Sequence, residues 1–581
     1  MAGKALNQAR EKRGPWPLAL TALCTLLLVG GIEILFLFTG ASGVRHGVLI
    51  DPDCYMHLQR AYRLMTGGWQ PQGFDPRVNA PFGYAIHWTI LFDGLLAAGA
   101  WPLIWLGMDL HQALYLWGSA ISPLLLVAAL LFFAKGVRPW VKGPAFLWLI
   151  MLLFTQPLLS GAFLVGRADH HSLILGLLLV QLAWIYAALD GRAGEGRKSF
   201  AVAFAAGVAV GIQICTTVEG LLTLLFISSV LAIAWTWFHR PALTLLVAYW
   251  AGCLTMTWAW LVLTRGPILF QPAYDRVSIV HAFVLATGLA AIGVMALLAR
   301  RLPRAAALVI ASGLAALAIG MRYPGFFLGP WPDLPPVVKD WHRQIGELQP
   351  LLPDSPRHIG GFLAEFAASL IALPLVINRL RHGSVEERAP MLAAACGFCL
   401  FGGLALAQSR WSTELQAVML LPFTLTTLRI MKSDSAVALG RHRLPLRSAL
   451  LAGVLLLQLA PEAFARAQPA PASQSCDWNA AVRALTGMSP QKGIVMTELW
   501  SGPEILWRSD FSVVGAPYEI APALADTARF ETGTPLEARQ VLERRHIQYV
   551  LTCGARSDAR LLGLDAMRFA APGFHFYRVT Q

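Results

Sequence analysis

Two short clusters of acids and histidines, Asp51-Pro-Asp53-Cys-Tyr-Met-His57 and Asp169-His170-His171, carry residue types that bind a divalent cation. Carboxylate oxygens and imidazole nitrogens suit such an ion, and in the second cluster they stand two positions apart, close enough to converge on it. A single loop acid is most often only solvated. An acid and two histidines between the apolar runs 159–165 and 173–180 are expensive unless they face a polar cavity. Complementary groups lie elsewhere. Glu347 sits in Gln344-Ile-Gly-Glu347-Leu-Gln-Pro350, and Arg410 sits in Gln408-Ser-Arg410-Trp411. A guanidinium there can clamp phosphate oxygens, or it can anchor the chain at the membrane interface beside Trp411. Asp275 and Arg276 read as a site pair or as a local ion pair. Glu219 and Glu33, flanked by apolar residues, read as carboxylates near membrane depth and are functional candidates for that reason.

The elements that position these residues must be membrane helices. The chain has 581 residues, 56% hydrophobic and 14% charged, and its mean hydropathy of +0.56 rules out a water-soluble protein. Apolar runs of about 20 residues, the length that crosses a hydrocarbon core, recur from residue 16 to 459. The net charge of +13 comes from Lys and Arg in short loops, which sets orientation and excludes nucleic acid as a partner. These loops align on the cytoplasmic side only if the stretch 89–108 lies along the outer face instead of spanning. That choice gives about thirteen helices with the N-terminus inside. Every residue named above except Glu33 and Glu219 then falls at the outer surface, in the loops 41–111, 166–171, 265–278, 322–358 and 408–410.

The membrane domain is expected over 1–466, followed by a Pro- and Ala-rich linker at 467–475 and a small extracytoplasmic α/β domain at 476–581. In that domain, strands are expected at 493–496, 511–515, 549–551 and 574–579, and a helix at 535–545. An oxidising compartment would permit a Cys476–Cys553 bond.

In order and placement these residues resemble the catalytic subunit of oligosaccharyltransferase and its archaeal and bacterial single-subunit relatives. The resemblance covers the membrane region in topology, with motif-level similarity in a few short stretches. It implies a polytopic α-helical membrane protein of the GT-C fold with an extracytoplasmic C-terminal domain. Asp53, with Tyr55 and His57, resembles the family's first acidic motif, and Asp169 and His171 match the second, whose first and third positions hold the metal. Glu347 resembles the acid of the fifth external loop. Arg410 stands where the family places an Arg on the lipid-linked pyrophosphate. The resemblance thus implies Asp53, Asp169 and His171 as metal ligands for Mg²⁺ or Mn²⁺, Asp53 and Glu347 as catalytic, and Arg410 as the donor-phosphate contact. Asp51, His57, His170, Glu219, Asp275 and Arg276 are further candidates.

The chain departs from the family at the acceptor motif. In place of Trp-Trp-Asp-Tyr-Gly it reads Glu498-Leu-Trp500-Ser-Gly502-Pro-Glu504, which keeps one Trp and leaves Trp500 and Glu504 as the acceptor-region candidates. Gln344 likewise replaces a Ser or Thr. The function expected is metal-dependent, inverting transfer of a sugar or glycan from a polyprenyl phosphate or diphosphate to a protein, glycolipid or polysaccharide outside the cytoplasm, in a bacterial inner membrane. Two alternatives stand beside it: an Asn-glycosylating oligosaccharyltransferase with a diverged acceptor motif, and a transporter or flippase of lipid-linked substrates that would depend on Glu219.

Overall fold

The computed structural model describes residues 17–432 and 477–580 apart from short stretches at 41, 69–72, 190–195, 239–240, 333, 353–355, 489–491 and 555–557, together with parts of 436–456. The expected linker, Cys476 and most of the last expected span lie outside the described residues. Ten of the described helices, from Leu18–Thr39 to Val385–Ala407, are long and apolar enough to cross a membrane. Large apolar side chains such as Leu27, Leu263 and Val309 point outward from them, as a lipid-facing surface requires. Close crossings are made by small residues. A Cβ on Gly207 would sit 1.9 Å from the Tyr249 carbonyl oxygen, so Arg197–Thr216 and Ala242–Arg265 pack backbone to backbone there.

The stretch expected to lie along the surface forms the helix Leu91–Trp105. Its 15 residues rise about 22 Å at 1.5 Å each, short of a ~30 Å core. Phe92, Asp93 and Leu96 are buried against the helices Pro52–Met65 and Leu110–Val137, while Trp101 and Trp105 stay exposed.

The C-terminal region holds a five-stranded mixed sheet. Its strands are β1 (Ile494–Met496), β2 (Ser512–Val513), β3 (Tyr549–Cys553), β4 (Leu564–Met567) and β5 (Phe574–Val579), in the order β2-β1-β3-β5-β4. β1 pairs parallel with β2 and β3, whereas β5 runs antiparallel to β3 and β4. The parallel pairs require crossovers, supplied by the helices Gly502–Arg508, Ala521–Thr532 and Pro535–Arg544. The last of these matches the helix expected from the sequence. β4 and three helices, Trp478–Gly487 among them, were not expected: Leu564–Met567 alternates too briefly to read as a strand. Among the described residues Cys553 is disulfide-bonded and six other cysteines are free.

This sheet is joined to the first long loop. Val513 N–H donates to the Arg77 carbonyl at 2.8 Å and Ala80 N–H to the Val513 carbonyl at 3.1 Å, so residues 77–80 cover the edge of β2. Arg545, fully buried, donates from Nη1 to the Asn79 and Ala80 carbonyls and to Asn79 Oδ1, and from Nε to Asp526 Oδ2 at 2.6 Å. Met56, Val78 and Ile86 enter one hydrophobic core with Val482, Val495 and Phe576.

Candidate active site

The helix Pro52–Met65 begins where the sequence places its first acidic motif. Asp51 caps it by accepting from Cys54 N–H at 3.0 Å, and Pro52 occupies the first turn, where its missing N–H costs nothing. Asp53 lies in that turn, and His57 and Arg60 follow at i+4 and i+7, along one face. The turn before the helix His170–Leu189 is stitched alongside. Ile50 N–H donates to the Gly166 carbonyl at 3.2 Å, Ser42 Oγ donates to the Val165 carbonyl at 2.8 Å, and Glu33 Oε2 accepts from Val165 N–H at 2.8 Å. Gly166 takes φ +94°, a conformation side chains resist, and a Cβ there would meet Val44. One oxygen of Glu33 thereby holds the turn.

These contacts bring the two acidic motifs together. Arg167 Nη2 lies 3.3 Å from both Asp51 Oδ2 and Asp169 Oδ2 and bridges them. His57, Asp169 and His170 each offer a ligand atom within 4.8 Å of the others, all three buried. Asp53 and His171 border this group: the charge of Asp169 reaches Asp53, and the His171 ring stacks on His170 at 4.6 Å. Burial, followed by the charges of Asp51, Asp169 and Glu347, pushes the Asp53 carboxyl well above its usual range. Asp169 goes the other way. Burial works to raise it, yet His171, His170 and Arg167 hold it well below.

A buried chain of polar groups stands behind the histidines. Arg60 Nε donates to Asp93 Oδ2 at 2.8 Å, Asp93 Oδ1 meets His57 Nδ1 at 2.7 Å, and His57 Nε2 meets His170 Nδ1 at 2.9 Å. Burial tends to raise Asp93, but Arg60 and His57 outweigh it and leave the carboxyl below its usual range. Burial lowers His57, favouring the neutral ring. A neutral His57 facing an ionised Asp93 carries its proton on Nδ1, which leaves Nε2 to accept from His170. The Trp88 ring stacks on His57 at 4.5 Å and 13°. Asp93 was not a candidate from sequence, although a lone acid in an otherwise apolar helix was a signal.

The later loops close over this end of the bundle. Glu347 lies in the 3₁₀ turn Gly346–Leu348, and Ser409 ties that turn to the Arg410 loop through its N–H to the Gln349 carbonyl at 2.9 Å. Arg410 Nη2 pairs with Glu219 at 2.7 and 2.8 Å. Glu219 immediately precedes the helix Gly220–Trp237, so it sits at a turn beside Arg410. Glu519 of the C-terminal region meets His87 of the first loop at 3.7 Å and His342 of the 334–352 segment at 3.4 Å. Asp275 and Arg276 form a forked ion pair, with Nη2–Oδ2 2.7 Å, and Arg276 also reaches the Ala85 carbonyl at 3.4 Å. Trp500 is exposed and lies 6.3 Å from Trp341, ring to ring. Glu504 is buried and paired with Arg508 at 3.0 Å, beneath the Gly47 carbonyl that Arg508 also holds. His87, His342 and Glu519 carried no local sequence signal, because three separate segments supply them.

No protein-family model matches the chain. Over 134 residues it is 27% identical to dolichyl-phosphooligosaccharide-protein glycotransferase 2 of Archaeoglobus fulgidus, a stretch that makes up 23% of this chain and 21% of that protein. The chain thus matches about a fifth of that relative's length. The archaeal oligosaccharyltransferase AglB of the same organism, in complex with an inhibitory peptide and a dolichol-phosphate, aligns with a TM-score of 0.67 at 14% identity, over 97% of this chain and 74% of that one. The Archaeoglobus fulgidus oligosaccharyltransferase in complex with Zn and sulfate aligns with a TM-score of 0.61 at 16% identity, over 96% and 73%. The fold is the GT-C fold of the oligosaccharyltransferases, and the chain is an integral membrane protein.

Proposed function

We propose that the chain is a membrane glycosyltransferase that moves a sugar or glycan from a polyprenyl phosphate or diphosphate to an acceptor outside the cytoplasm. The observation that carries this is the meeting of Asp51, Asp53, Arg167, Asp169, His57 and His170 at one end of a GT-C bundle, with Glu347 and Arg410 in the loops closing the same end. The dolichol-phosphate in the structural neighbour supports a lipid-linked donor. The expected orientation puts this end and the C-terminal domain at the periplasmic face of a bacterial inner membrane, with about thirteen spans.

The residues present fit a divalent cation: ligand atoms of Asp169, His57 and His170 lie within 4.8 Å of one another, Asp53 and His171 border them, and Asp93 holds the His57 ring from behind. Asp53, Asp169 and His171 would hold it, with His57 and His170 beside them, and Mg²⁺ or Mn²⁺ suits this mix. When bound, the cation supplies Lewis-acid neutralisation of the donor's phosphate oxygens. Arg410 binds those oxygens, using the edge that Glu219 leaves. The Asp53 carboxylate binds the acceptor's N–H or O–H and takes its proton. The acceptor atom bonds to the sugar's anomeric carbon from the face opposite the phosphate, the C–O bond to phosphate breaks with its electron pair leaving on the phosphate, and the configuration inverts. Glu347 completes the pocket.

A protein acceptor is the second reading, favoured by the relative, a dolichyl-phosphooligosaccharide-protein glycotransferase, and by the inhibitory peptide held by the structural neighbour. The transporter alternative loses its main support, because Glu219 neutralises Arg410 at a turn. The test is transfer of radiolabel from a polyprenyl-linked sugar pool to native membrane components, with and without EDTA. Metal-dependent labelling lost in Asp53→Ala and Asp169→Ala is the expected result. EDTA-insensitive labelling would sink the metal assignment, and no labelling at all would sink the transferase.

A further inference from the structure

The guanidinium proposed to bind the donor phosphate is already held by a carboxylate of this chain. Arg410 Nη2 lies 2.7 Å from Glu219 Oε1 and 2.8 Å from Glu219 Oε2, and no other hydrogen bond leaves this guanidinium among the described residues. A guanidinium grips a phosphate in a fork through Nη1 and Nη2 or through Nε and Nη2, so Nη2 belongs to both forks. Glu219 therefore blocks both at once. Its contact is not itself a fork, because both oxygens crowd one nitrogen, and it is weaker than the two parallel bonds a phosphate can make. The two side chains are 20% and 25% exposed, so the pair is open to an incoming anion.

The backbone is held on both sides of the pair. Gly220 N–H donates to the Thr217 carbonyl at 3.1 Å, and a Cβ on Gly220 would come within 2.6 Å of Ile214 N, so the turn that carries Glu219 is packed tightly against the preceding helix. On the other side, Ser409 N–H donates to the Gln349 carbonyl at 2.9 Å. Freeing Nη2 thus takes a rotation of the Glu219 side chain and no movement of either backbone. The displaced carboxylate stays at the start of the 18-residue helix Gly220–Trp237, whose unpaired N–H groups favour negative charge.

We infer that Glu219 is an internal competitor of the donor: it occupies Arg410 while the site is empty and releases Nη2 when the donor's phosphate arrives. The inference rests on the transferase reading. Glu219 keeps a largely buried cation paired in the empty site, and it sets the threshold that an incoming anion must exceed. Glu219→Gln removes the charge and keeps the shape. Equilibrium binding of radiolabelled polyprenyl phosphate and diphosphate, each without sugar, is measured on the purified full-length protein in detergent, for wild type, Glu219→Gln, Arg410→Gln and the double variant. The expected result is a dissociation constant lowered about 3-fold or more in Glu219→Gln, since the fraction of Arg410 free to bind rises. That gain should vanish in the Arg410→Gln background. A residue with only a structural role would weaken binding when changed, so tighter binding separates the two. Glu219→Asp, which withdraws the carboxylate by one methylene, serves where Glu219→Gln lowers the thermal midpoint, and it should also bind more tightly than wild type. Equal or weaker binding by the folded Glu219 variant, or a gain that persists without Arg410, would overturn the competition and leave the transferase standing. No binding of either lipid by the wild-type protein would overturn both.

Discussion

Asp93→Asn tests whether the buried chain behind the histidines is one unit. Asp93 is wholly buried, with one oxygen on Arg60 at 2.8 Å and the other on His57 at 2.7 Å. The amide keeps the shape and removes the charge, leaving the Arg60 guanidinium, 2% exposed, without its counter-ion. Breaking a buried pair from one side costs about 3–5 kcal/mol. Arg60 keeps the Trp88 and Thr89 carbonyls at 3.0 and 3.2 Å, which places the expected loss near the lower end, about 3 kcal/mol. Removing both charges together in Asp93→Asn/Arg60→Met should cost far less than the sum of the single changes, since the double variant strands no ion. Function should not recover in the double variant. The His57 ring loses its charged partner either way, and losing such an outer carboxylate typically costs 10–100-fold in metal affinity or activity. Denaturant unfolding in detergent measures the first quantity, and metal titration by calorimetry the second. If Asp93→Asn unfolds within about 0.5 kcal/mol of wild type, or if the two losses simply add, the chain is not a coupled unit.

The remaining predictions address the other groups in turn. Arg410→Lys keeps the charge but not the planar fork, so donor half-saturation should rise about 10-fold or more; an unchanged value would remove Arg410 from the donor site. His57 and His87 have lowered folded proton affinities, burial being the main cause for both. The unfolded chain therefore binds protons first, and stability present above about pH 6.5 is lost as pH falls below it. His87→Gln should flatten the thermal midpoint between roughly pH 7 and 5, and an equal slope would exclude His87 as a contributor. Glu519 is depressed by His342 and His87 against its burial, so its contribution holds above about pH 4.3 and is lost as pH falls through its folded value; Glu519→Gln should remove that acid limb of the midpoint curve. Arg545→Met breaks the contacts to Asn79 and Ala80 and should open the 73–85 segment to limited proteolysis, with a stability loss of about 3 kcal/mol; a protected segment would contradict the anchoring role.

The sequence made the membrane class and both acidic motifs legible because each leaves a local mark. The strands β1, β2, β3 and β5 and the helix Pro535–Arg544 showed as short apolar or periodic runs. The Glu219–Arg410 pair was not legible, since apolar neighbours on both sides of Glu219 hide the turn that brings it to Arg410. The set around Glu519 was invisible for another reason. His87, His342 and Glu519 have no common spacing and meet only after three segments fold.

The pairing of residues 77–80 with β2 has a consequence for biogenesis. Arg77 contacts Ser509, 432 residues later in the chain, and at ribosomal speeds of 5–20 residues per second that partner is made about 20–90 s afterwards. During that interval Met56, Val78 and Ile86 have no core to enter, and residues 77–80 have no strand edge to pair with. A nonsense mutation late in the gene would therefore expose the beginning of the protein, and quality control of this protein should read its first long loop as the sign that synthesis stopped early.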